Sequence, residues 1–156
     1  MKKLYMIGLG GSIKNANTEV HAMQFVYAEN LEDCYQELKK RWYGESLHID
    51  GYMYLKTIDG YEVDFSNKME DNLYMIVYGG YQEDVIDEIH RYHFVVAKSK
   101  TEAKLLAKES MHSFTSIDHV DEVVDVFENA GVRFGLKERD CSFSENSYSH
   151  TFIKLK

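Results

Sequence analysis

The sequence predicts an α+β protein made by internal duplication of a strand–strand–helix–strand–strand unit, with its helices packed on antiparallel or mixed sheets about a pseudo-twofold axis. Three observations support this prediction. Residues 4–28 recur as residues 73–97 without a gap, at a constant offset of 69. Each copy begins with an apolar run of strand length, and each later has apolar residues at helical spacing behind a capping residue. We therefore predict two repeat copies, residues 1–69 and 70–156, in one compact globular unit.

The repeat is strong when identities are counted. Of the 25 aligned positions 11 are identical, whereas chance would give about one or two. The identical pairs are Leu4/Leu73, Tyr5/Tyr74, Met6/Met75, Ile7/Ile76, Gly10/Gly79, Gly11/Gly80, Glu19/Glu88, His21/His90, Phe25/Phe94, Val26/Val95 and Ala28/Ala97.

Two strands begin each copy. Leu4 to Leu9 and Leu73 to Tyr78 are nearly continuous apolar runs, which are typical of strands buried on both faces. His21 to Ala28 and His90 to Ala97 follow after loops of similar length. We expect one face of each sheet to be covered by the helix of its copy.

A helix follows the second strand of each copy. Asn30 and Ser99 are good N-cap residues, and Asp33 and Glu102 lie three positions later as capping-box acids. The apolar positions then follow helical spacing; they are Leu31, Cys34, Tyr35, Leu38 and Trp42 in copy one, and Ala103, Leu106, Ala107, Met111 and Phe114 in copy two.

Beyond the first helix, Tyr52 to Ile58 and Tyr61 to Phe65 flank Asp59-Gly60, a pair that favours a tight hairpin. The last segment, Tyr148 to Leu155, alternates between apolar and polar residues and is predicted to be a strand.

Residues 119–131 permit two interpretations. Apolar residues at positions 120, 123, 124 and 127 have helical spacing, and Gly131 would suit a helix C-cap. The repeat instead predicts that Glu122 to Phe127 and Val132 to Leu136 form a hairpin like that around Asp59-Gly60. We favour the hairpin because a register shared over 25 residues outweighs one short periodic window.

Composition excludes several classes of partner. The formal net charge is −8, so a phosphate backbone would be repelled on average, and we expect neither nucleic acid nor membrane as a partner. The sequence contains no apolar run of membrane-spanning length. Two cysteines at unrelated positions of the repeat, Cys34 and Cys141, suggest a reducing cytoplasm rather than a designed disulfide.

A pair of glycines ends the first strand of each copy, Gly10-Gly11 and Gly79-Gly80. Glycine-rich turns can direct backbone N–H groups at an anion. However, neither pair is followed by the helix and lysine of a phosphate-binding loop. We favour a structural interpretation, in which glycine permits backbone angles or a close strand approach that other residues do not.

The repeated polar side chains are Glu19 and His21 in copy one, and Glu88 and His90 in copy two. Residues i and i+2 of a strand point to the same face, so each Glu projects together with its His. These four residues are candidate ligands for a divalent metal, or each carboxylate sets the tautomer of its imidazole. If the copies pack about a twofold axis, all four would converge on one site.

The alternative is that each Glu and His satisfies backbone groups of the preceding loop. We favour this structural role, because a device that holds a loop is expected in both copies, whereas a catalytic site is usually kept in one.

His48 and Asp50 form a second candidate binding pair in copy one, with a partial counterpart in residues 118–121. Metal sites often include such residues. Short polar residues at the start of a strand are more often turn and cap chemistry, so we favour that interpretation.

The other face of each sheet, which we expect to carry Val26, Ala28, Val95 and Ala97, is also partly apolar. Such a face needs a second cover, which is either the other copy or a partner chain. A homodimer or a protein partner is therefore expected.

The pattern Leu-Tyr, Gly10-Gly11, Glu19-x-His21, the Phe25 strand, Trp42, Leu47-His48-Ile49-Asp50 and Asp59-Gly60-Tyr61 resembles the bacterial family called domain of unknown function 1543. The resemblance covers nearly all of copy one, and copy two as far as its helix. Members of that family carry one or two copies per chain, which agrees with the duplication. The family has no established activity, so the resemblance implies an architecture and no particular reaction.

We predict a small cytoplasmic bacterial protein of uncharacterised activity, and we favour a non-catalytic binding or protein-interaction module whose site lies at the Gly-Gly and Glu-x-His clusters. The alternative is a metal-assisted hydrolase that uses the duplicated clusters. No catalytic residue is assigned, a divalent metal is a candidate cofactor, and the sequence does not identify a small-molecule ligand.

Overall fold

The computed structural model describes residues 1–66, 70–110, 119–140 and 146–156. The chain divides into two compact units. Unit 1 comprises Met1–Thr57, Asn129–Val132 and Ser142–Lys156, and unit 2 comprises Ile58–Glu128 and Arg133–Cys141. These units do not coincide with residues 1–69 and 70–156, because the C-terminal strand is part of the sheet of unit 1.

The described residues form an α+β fold with antiparallel strand pairs. Its elements in chain order are β1 (Lys3–Gly11), β2 (Val20–Ala28), a 3₁₀ turn (Glu32–Cys34), α1 (Tyr35–Arg41), β3 (His48–Tyr54), β4 (Thr57–Ile58), β5 (Tyr61–Asp64), β6 (Asn72–Gly80), β7 (Ile89–Ala97), α2 (Lys100–Ser110), β8 (His119–Asp125), α3 (Val126–Ala130), β9 (Gly135–Glu138) and β10 (Tyr148–Lys154).

Unit 1 contains a four-stranded sheet with the order β10-β3-β1-β2. All three pairings are antiparallel. The predicted C-terminal strand is confirmed, and β10 pairs with β3 at the edge of the sheet. The predicted strand from Tyr52 to Ile58 is divided, because β3 ends at Tyr54 and β4 belongs to another sheet.

The helical segment of unit 1 starts after Asn30 as predicted, but its first turn is 3₁₀ and α1 itself begins at Tyr35. The Asp33 backbone N–H donates to Asn30 Oδ1 at 3.0 Å, which is an N-cap bond. A 3₁₀ turn then leads into α1, and Leu31, Cys34 and Leu38 are buried against the sheet. The apolar spacing that predicts the helix therefore also identifies its buried face.

Unit 2 contains a three-stranded sheet with the order β7-β6-β8. Ser99 caps α2 as predicted, since the Glu102 N–H donates to Ser99 Oγ, while the Glu102 carboxylate accepts from the Lys98 N–H, one residue before the N-cap donor of a standard capping box. Ala103 and Ala107 are its buried residues, whereas Leu106 is exposed. The two further positions of the predicted apolar stripe, 111 and 114, lie outside the described residues.

A third sheet has the order β4-β5-β9. Asp59 and Gly60, between β4 and β5, both have positive φ, 48° and 80°. This backbone conformation is that of the tight hairpin turn which the Asp-Gly pair predicts.

The hairpin favoured for Glu122 to Phe127 and Val132 to Leu136 is wrong. Residues 119–125 form β8, which pairs with β6, and β9 pairs with β5 instead of with β8. Between them lies the short helix α3. Of the four apolar positions at helical spacing, only Phe127 lies in α3, whereas positions 120, 123 and 124 belong to β8, the edge strand of the unit 2 sheet.

Both faces of the unit 1 sheet are apolar, but the assignment of faces requires a correction. Val26 and Ala28 belong to the helix-side core, together with Leu31 and Leu38, and Val95 and Ala97 likewise pack with the helix of unit 2. These strands end shortly before the helix of each unit begins. The small residues at the strand ends let that helix pack closely against the sheet. Among the described residues, no helix is long and apolar enough to cross a membrane.

Candidate functional site

The polar cluster of unit 1 lies where three strands meet in register. Gly10 of β1 is the partner of His21 on β2 and of His48 on β3. The two imidazoles therefore flank a glycine in one row across the sheet. Because Gly10 has no side chain, the two rings are free to face each other above it.

The ligand-type atoms of unit 1 lie close together. His48 Nε2 is 3.0 Å from Asp50 Oδ1 and 3.6 Å from Glu19 Oε2. His21 Nε2 is 3.7 Å from Asp50 Oδ2. The four side chains thus form a chain of contacts in the order Glu19, His48, Asp50 and His21.

A second cluster in unit 2 has the same composition. His90 Nε2 is 2.9 Å from Asp121 Oδ2 and 3.4 Å from Glu88 Oε2. His119 Nε2 is 3.0 Å from Glu88 Oε1 and 3.3 Å from Asp121 Oδ1. Ligand atoms of Glu88, His90 and Asp121 all lie within 4.8 Å of one another, an arrangement that can hold a metal ion.

An irregularity in the strand pairing places the aspartate of each cluster. In unit 1 the register passes from Ile49 to Gly51, so Asp50 has no partner residue on β1. In unit 2 it passes from Val120 to Glu122, so Asp121 has no partner on β6. Such bulges redirect a side chain and are common beside functional sites.

The glutamate of each cluster is supplied by the end of the loop that follows the first strand. Both loops contain the same turn, because Ala16 N–H donates to the Ile13 carbonyl and Val85 N–H donates to the Gln82 carbonyl, each at 3.2 Å. Asn15 and Asp84 have nearly equal positive φ, 66° and 65°. Glu19 and Glu88 therefore enter their clusters by equivalent backbone paths.

One carboxylate oxygen is buried without a hydrogen bond. Glu88 Oε1 has no hydrogen-bond partner among the described residues, although His119 Nε2 is only 3.0 Å away. The direction of the ring nitrogen is thus unsuited to a hydrogen bond with that oxygen. Leaving such an atom unpaired is costly, and a cation between the two atoms would remove the cost.

The glycines of the two pairs have different roles. A Cβ on Gly10 would lie 2.5 Å from His48 Nε2, and one on Gly79 would lie 2.7 Å from His119 Nε2, so both glycines leave space for the clusters. A Cβ on Gly11 would collide with the Ser46 carbonyl, which is a packing requirement. Gly80 ends β6 opposite Ile89.

All ten candidate residues of the sequence lie in or directly beside the two clusters, but the interpretation of His48 and Asp50 as turn chemistry is wrong. Both are strand residues of β3, and His48 is buried. The structure adds His119 and Asp121 in unit 2. They belong to the partial counterpart of His48 and Asp50 noted from the sequence, but their offset of 71 is two more than that of the repeat, so the repeat alone does not assign them to the site.

The polar contacts found for the Glu and His side chains join the members of each cluster. This geometry differs from the loop-holding role favoured from sequence. Each cluster is also completed inside its own unit, because Glu19, His21, His48 and Asp50 lie in unit 1 and their counterparts lie in unit 2.

Comparison with known proteins adds two findings. Residues 16–65 match the family model described as Domain of Unknown Function (DUF1543), which supports the resemblance noted from the sequence, and this segment contains all four cluster residues of unit 1. The fold is similar to that in the crystal structure of a protein Il1583 from Idiomarina loihiensis, with a TM-score of 0.75 and 24% identity, over 100% of this chain and 99% of that one. A search of curated proteins finds no match.

Proposed function

We propose that the protein is a divalent-metal-binding module with one site in each unit. The observation that carries this proposal is that the same set of two histidines, one glutamate and one aspartate recurs, with all four histidines presenting Nε2. In each unit a histidine nitrogen lies within about 3 Å of a carboxylate oxygen, so that one cation could contact both.

The spacing of the ligand atoms fits a transition metal. Metal–nitrogen and metal–oxygen bonds of about 2.1 Å at tetrahedral angles separate neighbouring ligand atoms by about 3.4 Å. The contacts between a histidine nitrogen and a carboxylate oxygen run from 2.9 Å (His90 to Asp121) to 3.7 Å (His21 to Asp50), and in unit 2 three ligand atoms also lie within 4.8 Å of one another. A mixed imidazole and carboxylate set suits Zn²⁺, Fe²⁺ or Mn²⁺, whereas Ca²⁺ prefers oxygen ligands alone.

Charge favours the same conclusion. Each cluster contains two carboxylates, and metal binding uses the neutral form of its two imidazoles, so a divalent cation would balance the charge of the occupied site. Within the part of the chain that the structure describes, Glu88 Oε1 is buried without a hydrogen-bond partner, and a bound cation would give it one.

We further propose that the chain consists of two DUF1543-type copies that arose by duplication. The family match covers residues 16–65 only. Supporting observations are the equal length and register of the β1–β2 and β6–β7 pairs, which correspond at the repeat offset of 69, and the equivalent loop turns. The pseudo-twofold arrangement of the copies remains a prediction.

The experiment is a measurement of bound zinc by atomic emission after equilibrium dialysis of protein without a histidine tag. We expect two zinc ions per chain. His48→Ala and His119→Ala should each lower the content to one, and the double variant should bind none. A control substitution, His93→Ala, removes a histidine outside both clusters and should leave two. Equal zinc content in the wild type and the double variant would overturn the proposal.

A second candidate function is metal-assisted hydrolysis. It is favoured by the exposure of the unit 1 ligands, since Glu19, His21 and Asp50 are 42–64% exposed and a substrate can reach a metal held there. Zinc-loaded protein should then hydrolyse p-nitrophenyl esters or phosphates, and His48→Ala should remove that activity. If the zinc-loaded wild type hydrolyses these substrates no faster than the zinc-loaded His48→Ala variant, metal-assisted hydrolysis of them is excluded. The proposed metal-binding function is unaffected by that result.

A further inference from the structure

A groove lies beside the metal cluster of unit 1, on the same face of the sheet. It has a volume of about 240 Å³ and is lined by Met6, Gly8, Met23, Asp50, Gly51, Tyr52, Met53, Tyr148, Ser149 and His150. All of these residues belong to unit 1. Asp50 belongs both to the groove and to the cluster, so the two are continuous.

The register of the strands explains the shape of the groove. Next to the row of His21, Gly10 and His48 lies a row in which Gly8 is paired with Met23 and with Gly51. The following row contains Met6 and Met53. Two adjacent glycines, Gly8 and Gly51, therefore form the floor of the groove between the metal ligands and Met6 and Met53, with Met23 beside Gly8 in the same row.

Packing inside the protein accounts for one of these glycines and not for the other. A Cβ on Gly51 would lie 2.9 Å from the Ser149 carbonyl, so Gly51 lets β10 approach. A Cβ on Gly8 would meet Met23 and Gly51 at 3.7 Å, which is ordinary van der Waals contact. The space above Gly8 is thus not required by the fold.

Unit 2 lacks this floor. Val77 and Glu122 are paired at the positions that correspond to Gly8 and Gly51. Tyr92 corresponds to Met23. The two clusters share their ligands, but only unit 1 has the glycine pair beside them.

We propose that the unit 1 site binds a small molecule with an aromatic ring in the groove and an anionic head group on the metal. This inference rests on the proposed metal-binding function. Methionine thioethers adapt to irregular ligands and make favourable contacts with aromatic rings. Adjacent rows of a strand face are about 7 Å apart, which matches the span from a metal-bound head group to an attached ring.

The test uses Zn²⁺ and two hydroxamates that share one chelating head. Benzohydroxamate carries an aromatic ring, and acetohydroxamate carries a methyl group. After zinc content is measured, calorimetric titration of zinc-loaded protein should give at least about tenfold tighter binding of benzohydroxamate, because only its ring fills the groove.

Three variants test whether the aromatic ring of the probe binds in the groove of unit 1. Gly8→Val copies the residue of unit 2, and Gly8→Ala is a milder form whose Cβ the fold accommodates. Both should keep two zinc ions per chain, and Gly8→Val should reduce the preference for the aromatic probe to about threefold or less. His90→Ala should lose one zinc ion and keep the full preference.

The outcomes separate the two proposals. Absence of bound zinc overturns the proposed function and this inference with it. Two bound zinc ions with an unchanged preference in Gly8→Val, or a preference lost in His90→Ala, overturn the aromatic site of unit 1 and leave metal binding standing.

Discussion

The same four ligands lie in different surroundings in the two units. In unit 1 the His48 side chain is 7% exposed, whereas its counterpart His119 in unit 2 is 42% exposed. β10 pairs with β3 in unit 1, and its Phe152 ring lies 4.5 Å from the His48 ring. Within the described residues, β8 of unit 2 has a strand neighbour on one side only. An added strand thus changes access to a site without changing its ligands.

The helices of the two units differ in a compensating way. Unit 1 fills the space between sheet and helix with Leu9 and Leu38, and unit 2 places Tyr78 and Ala107 at the corresponding positions. A large residue on the strand therefore accompanies a small residue on the helix. The larger strand residue of unit 2 offsets part of the volume lost at the smaller helix residue.

Among the substitutions that test this comparison, Leu38→Ala is expected to have the largest effect on stability. The side chain is fully buried in the unit 1 core, so its truncation should lower the free energy of unfolding by about 3 kcal/mol. Urea denaturation measures the loss. Adding Leu9→Tyr to Leu38→Ala copies unit 2 and should restore part of the stability. A double variant that is less stable than Leu38→Ala would contradict the compensation.

The second largest effect is expected on zinc affinity, when Gly10 or Gly79 beneath the clusters is replaced. Gly10→Ala would bring a Cβ within 2.5 Å of His48 Nε2, and the displaced ring should weaken zinc binding in unit 1 about a hundredfold, or about 2.7 kcal/mol. Gly79→Ala should do the same in unit 2 and spare unit 1. Zinc titrations of the two variants with a competing chelator measure both sites. If either variant lost zinc affinity equally at both sites, the two clusters would not be independent.

A smaller effect is expected from Tyr78→Phe. The Tyr78 hydroxyl donates to the Ala107 carbonyl at 3.0 Å, in the space that Leu38 fills in unit 1. Removing the hydroxyl should cost about 1 kcal/mol, because the Ser110 hydroxyl still donates to the same carbonyl. Thermal unfolding of the variant measures this cost. A loss as large as that of Leu38→Ala would mean that the hydrogen bond, and not the ring volume, supports the helix of unit 2.

The smallest effect is expected from Cys34→Ala, which copies Ala103 of unit 2. At pH 7 the loss should be below about 1 kcal/mol. Burial, together with the Asp33 and Glu32 carboxylates, raises the pKa of the Cys34 thiol to about 12. The thiol of the unfolded chain ionises near pH 8.5. Because the folded pKa is the higher one, the stability that Cys34 contributes is complete below about pH 8.5 and is lost as the pH rises toward 12.

The stability difference between the wild type and Cys34→Ala should therefore shrink as the pH rises from 7 to 10, as urea denaturation at each pH measures. Cys141→Ser in both proteins serves as the common background, so that Cys34 is the only thiol and all other titrating groups are shared by the two proteins. A difference that is constant with pH would contradict the burial of the thiol.

The sequence alone determined the parts of the molecule that depend on neighbouring residues. Caps at Asn30 and Ser99, the Asp59-Gly60 turn and the buried strand runs were predictable because local hydrogen bonds and side-chain alternation fix them. The Glu-x-His pairs were also identifiable, because a repeat exposes polar residues that occur twice.

Tertiary structure decided what depends on pairing between distant segments. β9 pairs with β5, and β10 joins the sheet of unit 1. Both pairings connect residues that are far apart in sequence, and no local pattern specifies such partners. His119 and Asp121 became members of a site only when β8 lay beside β6, with a bulge that redirects the aspartate. Periodicity assigns side chains to faces, whereas the register between strands determines which of those side chains meet.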